Sequence, residues 1–150
     1  MFSPGRVFAY CNMAVLPAWL LLLLLPGWKG TRILAAYVVP ALLAGVYILL
    51  LLARFGPAGG GFGSLDELSR MFQNPWLLVA GWLHYLTLDL FVGAWEVRDA
   101  QRLGIRHAFV VPCLALTFLV GPAGLLVYLI VRAVVVRRWP GVEAVPTQRD

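Results

Sequence analysis

Charge is what this sequence has least of. Only 13% of its 150 residues are Asp, Glu, Lys or Arg, against 61% apolar residues. A mean hydropathy of +0.84 lies far outside the range of soluble domains and makes the chain a membrane protein. Cysteine and histidine are scarce too. Cys11 and Cys113 sit in apolar runs without CxxC or His-rich spacing, which argues against a disulfide framework or a zinc site and for buried small hydrophobes. Two histidines cannot supply a histidine-rich di-iron desaturase or hydroxylase site. The net charge of +5 comes from Lys and Arg between apolar runs and reads as interfacial, so no nucleic-acid partner is expected. The first run is followed by no small-residue cleavage pattern, and no Arg- and Ser-rich transit segment is present. A retained first span and a bacterial or already mature organellar form are therefore expected.

What is present is four long apolar stretches. Residues 7–25 form a run of about 19 residues, or about 28 Å of helix, enough to cross a hydrocarbon core. It contains Pro17, which should bend it, and Asn12, which needs a partner on another helix. Lys29, Arg32 and Trp28 mark the interface before a second span at 33–52, which carries Pro40 and the small pair Ala41 and Gly45. The glycine-rich stretch 56–63 lacks a phosphate-loop pattern and reads as a flexible linker. Residues 64–74 predict a short amphipathic surface helix. Ser64 and Glu67 are spaced as a capping box, and Leu65, Leu68, Met71 and Phe72 share a face. Asn74 and Pro75 start a third span running to about residue 97.

The fourth stretch, 108–136, would be about 43 Å long as one helix. Its Gly121, Pro122, Ala123 and Gly124 predict a break. The expected architecture is thus all-α and polytopic: a transmembrane domain of four helices over 1–139, the fourth broken, and a flexible polar tail at 140–150. Four crossings put both termini on one side. That side would hold Arg6, Arg54, Arg70, Arg132, Arg137, Arg138 and Arg149, against Lys29, Arg32, Arg98, Arg102 and Arg106 opposite. The slight excess favours cytoplasmic termini in a bacterial inner membrane.

The third span, HYLTLDLFVGAWEVRD from His84 to Asp99, carries ionisable residues where a membrane helix can least tolerate them. An aspartate at mid-membrane costs roughly 2.5 to 3.5 kcal/mol on insertion scales, so Asp89 needs a functional or structural account. At 100° per residue, Tyr85, Asp89, Val92 and Glu96 share a stripe with Asp99 near its edge. His84 lies about 140° from Asp89, so the two cannot share a metal on a regular helix. In an antiparallel hairpin with Asp99 level with His107, equal rise places Asp89 near Thr117 and His84 near Pro122. That predicts a deep cluster of His84, Asp89 and Thr117, with Asn12 or Tyr128, and an interfacial cluster of Glu96, Asp99, His107 and nearby arginines. His84 is equally readable as a hydrogen-bonded packing residue, Glu96 and Asp99 as solvated interface charges, and Trp82, Phe91 and Trp95 as lipid anchors.

The run HYLTLDLFVGAWEVRDAQRLGIRH and the later PCLALTFLVGPAGLLVYLIVR resemble the neoxanthin-synthase-like, abscisic-acid-deficiency membrane family. His84, Asp89, Gly93, Asp99, Pro112, Cys113, Gly121 and Pro122 carry the likeness, while the first two spans match in hydropathy and length. The resemblance implies a four-helix integral membrane protein and, for plant members, a requirement in converting violaxanthin to neoxanthin. That isomerisation opens an epoxide and removes a vinylic proton, and it needs an acid and a base but no redox cofactor. His84, Asp89 and Asp99 are the acid–base candidates. Trp82, Tyr85, Phe91, Trp95 and Thr117 would bind a hydrophobic carotenoid or other isoprenoid ligand within the lipid bilayer. Two other readings stay open: a non-catalytic lipid- or pigment-binding or assembly protein, and an ion or proton pathway that would require a homo-oligomer.

Overall fold

The computed structural model describes residues 3–55 and 61–136; the expected tail at 140–150, the domain boundary before it and most of the glycine-rich stretch lie outside them. The described residues are all-helical, and the outer surface is covered by exposed leucines such as Leu20, Leu42, Leu49 and Leu126. Such a surface is stable only in lipid.

Helix α1 spans Pro4–Leu24. The Ser3 hydroxyl accepts from the Arg6 amide, and Pro4 stands in the first turn, where no intrahelical donor is required. A short turn leads into α2, Lys29–Arg54, tied back by the Thr31 hydroxyl donating to the Leu25 carbonyl at 2.7 Å. Within α2 the stretch Leu34–Val38 is wound as a π-helix. It ends two residues before Pro40, whose ring would clash with the Ala36 carbonyl in regular α geometry and which brings no N–H of its own. The amphipathic helix α3, Leu65–Phe72, is capped by Ser64, which accepts from the Glu67 amide, while the Glu67 carboxylate accepts from the Gly63 amide at 3.1 Å. Asn74 caps α4, Pro75–Arg102. This helix runs five residues past its expected end and closes at Gly104, whose φ of 69° suits glycine.

Helices α5, His107–Val120, and α6, Pro122–Val136, make up the fourth apolar stretch, broken where expected. The break does more than bend the chain: it reverses it. Gly121 has φ 55° and ψ −106°, open to glycine but strained for other residues. Pro122 then starts α6, and Gly124 packs directly on the Thr117 backbone, where a Cβ would collide with the Thr117 amide nitrogen. At about 21 Å and 22 Å, the two helices are each shorter than the hydrocarbon core. They form a hairpin that enters from the end where α4 stops and returns to it, which is why Tyr128 and Arg132 of α6 both reach Asp99 near the end of α4.

Helix α4 is the axis of the bundle, in contact with α1, α2, α3, α5 and α6. Close approach to α1 depends on Gly93, where a Cβ would lie 2.7 Å from the Trp19 ring. Three helices among the described residues, α1, α2 and α4, are long and apolar enough to cross a membrane. With the hairpin returning, Pro4 and Val136 lie at opposite ends of the bundle of described residues, whereas four full crossings would bring them to one end; the carboxyl terminus itself lies outside the described residues. Arg132 correspondingly joins Lys29, Arg32, Arg98, Arg102 and Arg106 at one end.

Two outcomes test the hairpin. In a background lacking Cys11 and Cys113, Arg106→Cys and Val135→Cys should react with a membrane-impermeant thiol reagent from the same side, and Ser69→Cys from the other. Gly124→Ala should lower stability in detergent by upwards of about 2 kcal/mol, because backbone rather than a flexible side chain occupies the space.

Candidate functional site

The ionisable residues of α4 separate by face. Asp89, Glu96 and Asp99 are 9%, 0% and 6% exposed and turn toward the hairpin. His84 is exposed on the other side of the helix, its ring 5.7 Å from that of Tyr47 in α2. The expected deep pairing of His84 with Asp89 therefore does not form, for the reason the helical angle already contained: about 140° separates them.

At the hairpin tip, a Cβ on Gly121 would lie 2.9 Å from Asp89 Oδ1 and 3.1 Å from the Tyr85 ring, so the break faces Asp89 and Tyr85 rather than His84. Thr117, expected beside Asp89, donates its hydroxyl to Glu96 Oε1 at 3.0 Å instead. Both differences reflect a displacement of the hairpin along α4, about one turn as read at Gly121 and two turns as read at Thr117. Asp89 Oδ2 and Glu96 Oε2 are buried with no hydrogen-bond partner among the described residues. The Glu96 carboxylate, expected to be a solvated interface charge, is among the most buried groups in the protein.

Asp99 is differently placed. Its Oδ2 accepts from the Tyr128 hydroxyl at 2.8 Å and from Arg132 Nε at 2.7 Å, and its Oδ1 from Arg102 at 3.0 Å. Both carboxylate oxygens are engaged, one of them twice, which describes a clasp between α4 and α6. The expected interfacial cluster does not include His107, whose Nε2 lies 3.0 Å from the Leu23 carbonyl and closes the end of α1.

The aromatic candidates divide as well. Trp82 and Tyr85 stack at 5.2 Å and, with Phe8, Phe72, Leu78 and Val79, wall an apolar cavity of about 600 Å³ between α1, α3 and α4. The partner that Asn12 requires is Trp82, whose Nε1 donates to it at 3.1 Å. Tyr85 belongs both to this cavity and to the polar pocket at the hairpin tip. Phe91 is 44% exposed and faces outward. Trp95 meets Tyr128 edge to face at 5.5 Å, near Asp99 and away from the cavity. Among the described residues no three His, Cys, Asp or Glu side chains converge as a metal ligand set, and both cysteines are buried and unbridged.

Glu96, expected as an interface charge, and Arg132, expected only as a charge beyond its apolar run, both belong to the buried polar contacts around the hairpin. A signal for each was present: Glu96 shares the stripe of Asp89 two turns on, and Tyr128 with Arg132 is an i, i+4 polar pair inside an apolar run.

A long polytopic α-helical scaffold, a hairpin seated on an acidic helix face and an apolar cavity beside that face define an integral membrane protein built to enclose polar groups within lipid. The profile of the ABA4-like family, described as ABA DEFICIENT 4-like, matches residues 6–128, and the chain belongs to that family. The match reaches back through both first spans, well beyond the segments that carried the resemblance. Over 142 residues the chain is 26% identical to Protein ABA DEFICIENT 4, chloroplastic, of Arabidopsis thaliana, covering 87% of this chain and 62% of that protein. The chain thus spans about three fifths of its relative's length. No solved structure matches.

The clasp makes a stability prediction. Asp99→Leu leaves Arg132 buried without its carboxylate and should cost about 3 to 5 kcal/mol, whereas Thr117→Val, which strips Glu96 of its one hydroxyl donor, should cost about 1 to 3 kcal/mol. Thermal unfolding in detergent checks both, and equal melting temperatures for Asp99→Leu and the native chain would remove the clasp from the account.

Proposed function

We propose that the protein binds a long apolar isoprenoid of the carotenoid class from the bilayer and isomerises it by acid–base chemistry at Tyr85 and Asp89. The observation that carries this reading is the position of Tyr85, shared between an apolar cavity of about 600 Å³ and the buried Asp89 at the hairpin tip. Family membership supports the substrate class, since the conversion of violaxanthin to neoxanthin, implied for plant members, is an isomerisation without redox change. A cavity of this size suits one end of such a molecule, with the polyene continuing into lipid between α1 and α4.

The chemistry needs one proton delivered and one removed. The Tyr85 phenol protonates the epoxide oxygen as its C–O bond breaks, the vinylic proton passes to the Asp89 carboxylate, and Asp89 returns it to the phenolate. Protons balance and both residues end as they began. Exclusion of water by Phe8, Phe72 and Trp82 keeps the cation-like intermediate from being trapped as a diol. His84 stands off this cavity and Asp99 is committed to the clasp, so neither takes part in proton transfer under this reading.

A second reading, pigment or lipid binding without conversion, is favoured by the same cavity wall, which is almost wholly apolar apart from Tyr85. In either case the regrouped arginines support an orientation in which the end holding Lys29, Arg32, Arg106 and Arg132 faces the cytoplasm of a bacterial inner membrane and the amino-terminal end faces away.

The test is expression in cells that accumulate violaxanthin, followed by pigment analysis of whole membranes and of the purified protein. Conversion is expected in the native chain, a loss of about 10²-fold or more in Asp89→Asn and Tyr85→Phe, and near-native conversion in His84→Ala. Pigment that co-purifies but is never converted selects the binding reading. Absence of both pigment and product rejects the carotenoid class.

A further inference from the structure

At the end of the bundle opposite the apolar cavity, Trp95, Arg98, Asp99 and Arg102 line a recess of about 250 Å³. Its chemistry is cationic despite the carboxylate. Asp99 is engaged on both oxygens, by Arg102 on one and by Tyr128 and Arg132 on the other, so two guanidinium groups already hold the acid, and Arg98 adds a third cation to the lining. Arg98 reaches the Tyr37 hydroxyl of α2 at 3.4 Å, while its Nε is buried and lacks a hydrogen-bond partner among the described residues. The half-buried Arg98 guanidinium thus keeps donor capacity beside an open recess, which suits an anionic partner.

The surroundings specify what carries that anion. Lys29, Arg32 and Arg106 stand at the same end of the helices, where a lipid headgroup layer would lie. Below the recess, Leu88 and Phe91 continue the Trp95 face of α4 into the apolar region and are exposed, as is Tyr37 across from them. A charged head beside Arg98 and Arg102 would thus have its tail on an apolar strip. A soluble anion would leave that strip unused.

We infer that this recess is a binding site for the phosphate of an anionic glycerophospholipid, held by Arg98 and Arg102 with Trp95 against the glycerol and the first acyl carbons. The planar guanidinium fork suits a phosphate diester in a way an ammonium does not, and basic clusters at the end of a membrane helix attract anionic headgroups. The site is separate from the cavity at Tyr85 and does not depend on what that cavity binds.

Native mass spectrometry of the full chain, released from nanodiscs of phosphatidylglycerol and phosphatidylcholine in equal amounts, tests the inference. Retention of phosphatidylglycerol over phosphatidylcholine is expected. The preference should fall about fivefold in Arg98→Gln, the worth of one basic residue at an anionic surface. It should be partly restored in Arg98→Lys and unchanged in Arg70→Gln, which removes a charge from α3 at the other end. Melting temperatures of the variants separate lost binding from lost folding. Equal retention of the two lipids, or a preference indifferent to Arg98→Gln in a folded variant, overturns the site. Displacement of the bound lipid by millimolar inorganic phosphate would overturn the lipid assignment, showing a recess that takes the free anion.

Discussion

Asp99 and Arg132 meet at 2.7 Å with side chains 5% and 12% exposed, and the shape of the protein follows from that contact. A lone carboxylate or guanidinium at this depth carries a large desolvation cost, whereas a paired and hydrogen-bonded set is tolerable. The pair can form only if α6 doubles back along α5, because a straight continuation would carry Arg132 to the far end of α4. Chain reversal in turn demands a backbone at Gly121 that glycine adopts readily, and contact at Gly124 too close for any side chain. One ion pair and two glycines thus convert an apolar stretch long enough to cross the bilayer into a hairpin of two helices, each shorter than the hydrocarbon core.

Once seated, the hairpin sorts the acids of α4. Asp99 is saturated with donors, Glu96 has one oxygen on Thr117, and Asp89 has an oxygen without a partner. Groups that hold a membrane fold together satisfy their hydrogen bonds, since nothing else in lipid will. An acid left incompletely satisfied next to a cavity is instead available to a bound molecule. The gradient from Asp99 to Asp89 is therefore one of decreasing hydrogen-bond satisfaction, and the apolar cavity lies at the Asp89 end.

The same sorting displaces His84. As one of two histidines in the chain it draws notice in sequence, yet burial belongs to the face opposite it, and its neighbour is Tyr47 rather than an acid. Glu96 shows the reverse case. Its position near the end of an apolar run suggests solvent, but α4 continues to Arg102 and the hairpin covers it. Side-chain partners across helices depend on register, and a shift of about two turns exchanges Asp89 for Glu96, on the same stripe of α4, as the partner of Thr117.

The helical elements and the lipid solvent they require are legible along the chain. Apolar run lengths set the spans, Ser3, Ser64 and Asn74 set helix starts, and Gly121 with Pro122 set the break, because these are local properties of backbone and hydration. The sequence also carried enough of the segment from His84 to Arg132 to indicate the family. Only the tertiary structure decided that the break reverses the chain, that the two ends of the described bundle lie apart, and which acids share an environment. Those outcomes depend on the pairing of Asp99 with Tyr128 and Arg132, residues 29 and 33 positions away, and no local preference in the chain encodes a contact at that separation.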